Sequence, residues 1–291
     1  MRSAVLIYNP HAGRSRDRRY AASRMVDALR RRGIHVEALA TAAAGDAERL
    51  SRDALAAGVD TVIVHGGDGT VNEALQPLVG GTTALAVWPG GTANVLAQEL
   101  GLPREVEAVA DMIASGRTRR VSVGQAGQRH FLLMAGVGMD AAVVRAVNPR
   151  LKRLAGQGAF WIAWVQHLVR WRPQAFVVNV DGQRHTATFA VLANAPAYGG
   201  GLRIAPHASL DSDCLDLCLF AWTDRHRFVR HLRASRDGAH LGLPGVTYLQ
   251  ARRATVSALG TVWVQTDGEL LGELPMSFEC RPSALSVIVP R

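Results

Sequence analysis

No stretch of this chain approaches the roughly 18–20 uninterrupted apolar residues that a membrane-spanning helix needs, so the sequence predicts a protein that does not cross a bilayer. The apolar opening, Ser3 to Tyr8, is too short for a signal-peptide core, and a cytoplasmic protein is expected. Cysteine is scarce. Cys214, Cys218 and Cys280 form no even framework and match no zinc spacing, so they read as reduced thiols. Lysine is almost missing: Lys152 is the only one, and arginine carries nearly all of a formal net charge of +9. That balance favours polyanionic partners, whether nucleotide phosphates, an anionic membrane surface or nucleic acid. Two familiar phosphate-binding signatures are absent as well. No Gly-x-x-x-x-Gly-Lys-[Ser/Thr] occurs, which excludes a P-loop. The glycines around Gly66 do not fit Gly-x-Gly-x-x-Gly, which disfavours a dinucleotide-binding fold.

What is present is an ordinary globular composition, 48% hydrophobic and 20% charged over 291 residues, with room for two modest domains. The first third alternates strands and helices. Short apolar strands are expected at Val5–Tyr8, Ile34–Leu39, Thr61–Val64 and Ala84–Trp88. Helices are expected over Ser15–Arg32, Asp46–Ala57 and from about Thr70 to Leu78. Such spacing implies βαβ units and a parallel sheet. After about Arg120 the period changes to alternating apolar and polar residues. Phe176–Val180, the Asp181-Gly182 turn and Arg184–Leu192 read as a hairpin. Further strands are expected at Leu215–Phe220, Ala254–Ala258, Val262–Thr266 and Leu285–Val289, and helices at Leu151–Trp171 and Arg225–Ser235. The second half is therefore expected to be mostly β.

The strongest local pattern runs from Val62 to Glu73, where an apolar strand enters Gly66, Gly67, Asp68 and Gly69 and then a helix start. Glycines let backbone N–H groups approach a phosphate closely, and a helix N-terminus adds positive potential. Without a ligand the same pattern is a tight strand-to-helix turn. Asp68 speaks for chemistry. A carboxylate at a phosphate-binding turn repels its ligand unless it holds a divalent cation or accepts a proton. Phosphoryl transfer needs both functions, although a helix cap would also suit this residue. A second glycine turn, Pro89-Gly90-Gly91-Thr92-Ala93-Asn94, and a third loop, Asn9-Pro10-His11-Ala12-Gly13, each follow an expected strand. Ligands of open α/β sheets bind outside the carboxyl ends of the strands, so the three loops are expected to line one nucleotide site.

Together these residues resemble the catalytic domain shared by diacylglycerol kinases, sphingosine and ceramide kinases and soluble bacterial lipid kinases. The likeness covers nearly the whole chain and includes Gly136–Ala141, Ala193–Pro196, Tyr198–Gly201, Arg203–Pro206 and Asp267-Gly268-Glu269. It implies an α/β nucleotide-binding domain of the NAD kinase and diacylglycerol kinase type over 1–120 plus 282–291, with the last strand returning to it. It also implies a β-sandwich lipid-substrate domain over 121–281, with the active site between the two. The implied activity is an ATP-dependent, magnesium-requiring kinase of phospholipid metabolism that phosphorylates a hydroxyl of diacylglycerol or a related lipid. Carried over, Asn9, Pro10, Gly13, Thr41, Gly66, Gly67, Asp68, Gly69, Thr70, Asn72, Gly91 and Thr92 would hold the nucleotide. Asp68 and Glu269 would be the acids at the chemistry, with Glu269 as general base. Taken without the family, Glu269 is the solvated flank of an Asp-Gly hairpin turn. The family often carries adjacent acids and a glycine after a Ser-Leu pair, where some members bind a structural divalent metal. Here Ser209-Leu210-Asp211-Ser212-Asp213 departs from that pattern. Asp211 and Asp213 are then either oxygen ligands for magnesium or part of a solvated loop.

A lipid acceptor has to be met at a bilayer surface, so peripheral association with an anionic membrane is expected. Trp161, Trp164 and Trp171, flanked by Lys152, Arg153, Arg170 and Arg172, suit an interfacial helix or a domain-packing one. Arg227, Arg230, Arg233 and Arg236 form a basic stripe that faces anionic lipid or solvent. No nucleic-acid motif occurs. Two alternatives remain. One is a kinase of a soluble substrate, since NAD kinases are similar around Gly66, although their Asn-x-Gly-x-x-Gly-Phe-Leu element is absent. The other is a non-catalytic nucleotide-binding regulator, against which intact Asp68 and Glu269 stand.

Overall fold

The computed structural model describes residues 2–11, 18–139, 141, 173–196, 202–222, 230–231 and 233–291. Gly13, Asp140, the expected helix at Leu151–Trp171, residues Tyr198–Gly201 and most of the segment Arg225–Ser235 lie outside the described residues. The chain divides into two compact units, 1–121 with 283–291, and 122–282.

The first unit alternates β1 (Arg2–Tyr8), α1 (Arg18–Arg31), β2 (Ile34–Ala40), α2 (Asp46–Ala56), β3 (Thr61–Gly66), α3 (Asp68–Leu75), β4 (Ala84–Pro89), α4 (Val95–Glu99) and α5 (Val106–Ser115). Its strands run parallel in the order β2-β1-β3-β4. Leu6, Ile7, Ile63, Val64, Leu85 and Ala86 are all buried, as expected of parallel strands covered on both faces. In β2 the buried Ile34 and Val36 alternate with exposed His35 and Glu37. On α1, Ala22, Met25, Ala28 and Leu29 recur every three or four residues and make its buried stripe, which packs on β2 and α5. Gly33, at φ 75°, turns the chain from α1 into β2. Helices α2 and α3 are tied together where Ser51 Oγ donates to the Ala74 carbonyl at 2.7 Å and Glu73 accepts the Ala47 N–H at 3.2 Å.

The chain crosses into the second unit within β5 (Thr118–Ala126). There follow β6 (Arg129–Phe131), β7 (Met134–Gly138), β8 (Phe176–Val180), β9 (Gln183–Ala187), β10 (Phe189–Ala193), β11 (Leu215–Phe220), β12 (Val246–Ala251), β13 (Arg253–Ser257), β14 (Trp263–Thr266), β15 (Glu269–Glu273) and β16 (Met276–Ile288). One antiparallel sheet has the order β12-β11-β10-β7-β14-β15. Strands β9, β8, β13 and the first half of β16 pair antiparallel in another. Phe176, Val178, Val256 and Phe278 of the second pack with Ala135, Val137, Leu192, Leu217 and Val264 of the first in one core, making a sandwich. On the outer face of the six-stranded sheet, Phe189, Val191, Cys218 and Phe220 form another cluster with Leu202, Ile204 and Trp222. The end of β16 returns to the first unit, where Val287 pairs parallel with Leu85 of β4.

The expected strand Arg184–Leu192 is in fact two strands in different sheets. Thr188 is the corner: its N–H donates to the Phe220 carbonyl at 2.8 Å, and its hydroxyl donates to the Trp222 carbonyl at 2.9 Å. The burial pattern changes at this corner, from mostly exposed β9 to wholly buried β10. Helix α3 also begins at Asp68 rather than near Thr70, and the expected strand at Leu285–Val289 is the tail of the longer β16.

Candidate active site

The parallel register aligns Tyr8 with Ala40 and His65, and His65 with Trp88, so the loops after these strands begin side by side. Hydrogen bonds carry the ladder one step further. Thr41 N–H donates to the Tyr8 carbonyl at 2.9 Å, Asn9 N–H to His65 at 3.0 Å and Gly90 N–H to Gly66 at 2.8 Å. The Asn9 side chain accepts the His11 N–H at 2.9 Å, and its amide reaches Thr70 Oγ1 at 3.5 Å. Pro10 is partly exposed beside it, and Thr41 is buried.

The two glycine turns meet backbone to backbone. A Cβ on Gly91 would lie 2.5 Å from Gly67 Cα, and one on Gly66 would lie 2.7 Å from the Thr70 side chain. No other residue fits either position without a shift. Asn94 fixes the second turn: it sits at φ 50°, accepts the Gly91 N–H at 2.7 Å and donates to the Gly91 carbonyl at 2.9 Å. Asp68 lies in the first turn of α3 and accepts the Leu96 N–H of α4 at 3.4 Å, so it reaches across to the next loop and helix. Gly67, Gly69 and Thr70 are partly exposed, and Thr92 is exposed. Asn72 is only 2% exposed and accepts the Gln76 amide at 3.3 Å.

Sequence reasoning passed over a cluster directly behind these turns. His65, 2% exposed, stacks on Trp88 with ring centroids 3.6 Å apart, and its Nδ1 lies 3.1 Å from the Trp88 carbonyl. Its Nε2 lies 2.7 Å from Arg18 Nη1, while Arg18 Nη2 donates to the Gly90 carbonyl. A guanidinium only donates, so Nε2 is the acceptor and Nδ1 carries the proton toward Trp88. Burial, reinforced by the Arg18 charge, lowers the His65 pKa to about 4, so the ring is neutral near neutral pH. Burial also lowers the Arg18 pKa. The available signal was a histidine placed immediately before the glycines in an otherwise apolar strand.

In the second unit, Asp267 at φ 49° and Gly268 at φ 85° form the two-residue turn between β14 and β15, and partly exposed Glu269 begins β15. Three N–H groups converge on the Asp267 carboxylate: Leu132 at 2.9 Å, Leu133 at 2.9 Å and Met134 at 3.0 Å. Asn194, buried nearby, donates to the carbonyls of Ser122 at 2.8 Å and Leu132 at 2.9 Å. The register places Gln250, Asp216, Ala193 and Met134 in one row across the sheet, and Asp267 N–H donates to the Met134 carbonyl at 3.0 Å; Thr266, paired with Ala135 and Glu269, stands in the next row. Asp216 is buried and accepts the Tyr248 hydroxyl at 2.7 Å; burial and this partner raise the phenol's pKa. Asp211 and Asp213 are exposed, and Asp213 meets Arg252 at 3.4 Å. Among the described residues no group of three or more His, Cys, Asp or Glu side chains could hold a metal, and no helix is long and apolar enough to cross a membrane.

An open parallel sheet with glycine turns at its carboxyl end, followed by an antiparallel sandwich, is an arrangement that can serve a phosphotransferase, and the likeness to known proteins gives the kinase class. Residues 3–126 match the diacylglycerol kinase catalytic domain, and residues 134–289 match the YegS C-terminal NAD kinase beta sandwich-like domain. A diacylglycerol kinase of Mycobacterium tuberculosis is 33% identical over 280 residues, 93% of this chain and 90% of that protein. One of Bacillus subtilis is 30% identical over 298 residues, covering 100% of this chain and 97% of that one. A crystal structure of a diacylglycerol kinase from Bacillus anthracis superposes with a TM-score of 0.81 at 24% identity, over 99% of this chain and 97% of that one. The chain belongs to the diacylglycerol kinase catalytic domain family, whose members are lipid kinases that take phosphate from a nucleotide donor.

Proposed function

We propose that this chain transfers the γ-phosphoryl group of ATP to a hydroxyl of diacylglycerol or a closely related lipid, with magnesium as the accompanying cation. The observation that carries this reading is the meeting of two glycine turns at Gly67 and Gly91 with Asp68 in the next helical turn. Backbone stripped of side chains at neighbouring strand ends suits phosphate oxygens. Asn9, Thr41, Thr70 and Thr92 stand on or beside the same strand ends and would complete the nucleotide's surroundings. The Asp68 carboxylate is the hard oxygen donor that magnesium prefers. When bound, that cation would neutralise charge on the phosphates. Glu269 is the proposed general base. Its carboxylate takes the proton of the lipid hydroxyl as that oxygen bonds to phosphorus and ADP departs. The acceptor follows from the relatives, which are named diacylglycerol kinases. The charge of +9 suits a peripheral approach to an anionic bilayer.

The test is transfer from γ-labelled ATP, with magnesium, to mixed micelles holding diacylglycerol, monoacylglycerol, ceramide or sphingosine, with NAD as a soluble control acceptor. Label is expected in the phosphorylated diacylglycerol or a near relative. Label confined to phosphorylated NAD overturns the assignment.

A further inference from the structure

Arg18 and His65 have no part in the reaction as set out above, yet they sit against the turn that carries Gly91. A buried histidine whose Nε2 accepts from a guanidinium is a costly arrangement, because it removes a polar ring from water and withholds its charge. What it achieves is direction. With Nδ1 fixed on the Trp88 carbonyl and the ring stacked on the indole, Nε2 has one orientation, and the Arg18 guanidinium is held between it and the Gly90 carbonyl. The approach is so close that a Cβ on Gly90 would lie 2.9 Å from His65 Cε1 and 3.0 Å from Arg18 Nη1. Gly91, which packs on Gly67, is the next residue. A permanent positive charge is thus fixed beside the two turns, partly out of water, where its field is screened less.

We propose that Arg18 is a phosphate-binding residue of the nucleotide site and that His65 is its positioning residue, a neutral acceptor that aims the guanidinium at the phosphates. This rests on the nucleotide reading of the glycine turns and adds a cation to it. The chain's near lack of lysine agrees with the choice, since a planar fork can hold a histidine and a carbonyl while facing phosphate oxygens, and an ammonium cannot keep that geometry.

The experiment measures magnesium–ATP binding by calorimetry, inhibition by tripolyphosphate, and the KM and kcat for ATP. Arg18→Gln and His65→Phe are each expected to weaken magnesium–ATP binding about tenfold or more and to raise KM, with kcat changed less than about threefold. Tripolyphosphate, which has no base or sugar, should lose potency by a similar factor. His65→Gln, whose side-chain oxygen can replace Nε2 as acceptor, should bind within about threefold of the parent. The double variant Arg18→Gln/His65→Phe should be no weaker than the weaker single one, because both remove the same guanidinium. Additive losses, or an Arg18→Gln protein that binds like the parent, overturn the inference. Should His65→Phe fail to fold, partly exposed Arg18 decides the matter alone. A parent protein that binds no magnesium–ATP defeats the nucleotide reading itself, whereas normal parent binding with an indifferent Arg18→Gln defeats only the inference.

Discussion

The two units hold their candidate residues in place by opposite means. In the first, Asn9, Gly67, Asp68 and Gly91 come together because parallel strands end in one row, and each loop continues its own strand. In the second, Glu269 stands on a turn whose anchor, Asp267, takes its hydrogen bonds from Leu132 and its neighbours, 135 positions away in sequence. Repetition of one short βα unit can assemble the first arrangement. The second depends on long-range strand register, and a slip of one residue would undo it.

That contrast can be broken by substitution. Asp68→Asn and Glu269→Gln are expected to lower turnover by at least about a hundredfold each while the fold persists, measured as kcat in the lipid assay. A near-normal rate in either variant removes that residue from the chemistry and leaves its unit without an acid in the reaction.

Asp267→Ala strands three N–H groups and should cost about 3 kcal/mol or more of unfolding free energy in urea melts. The Asp-Gly turn at Asp181 offers the comparison, because it has the same φ of about 50° but is exposed. Asp181→Ala should therefore cost only about 1 kcal/mol, the strain of a left-handed alanine. Equal losses would show that the turn conformation, and not the long-range anchor, sets the stability of the Glu269 region.

A further difference concerns His65. Its pKa in the folded chain, about 4, lies below the ordinary value of 6.5, so the unfolded chain takes up the proton first as pH falls. The stability from a neutral His65 is present in full above about pH 6.5 and drains away toward pH 4, by on the order of 2–3 kcal/mol. Burial also lowers the pKa values of His130 and His240 in the second unit, and these groups remain in a His65→Phe variant. The difference between the two proteins' urea stabilities over this pH range isolates His65. A pH-independent difference would mean that the ring is not held neutral.

Much of this molecule is written in local pattern. Apolar runs separated by helix-length polar segments dictate a parallel sheet, because only crossovers of that length can join parallel strands. The glycines that follow those runs fall at the strand ends for the same reason. The pairing of Arg18 with His65 and the capture of Leu132, Leu133 and Met134 by Asp267 left no readable trace. Each joins groups far apart in the chain, and their partners are backbone atoms or ordinary side chains that every sequence contains. Alternation and spacing report which face a residue occupies. Which distant carbonyl or ring it meets there is settled when sheets close on one another, since packing and hydrogen-bond satisfaction act on the whole fold at once.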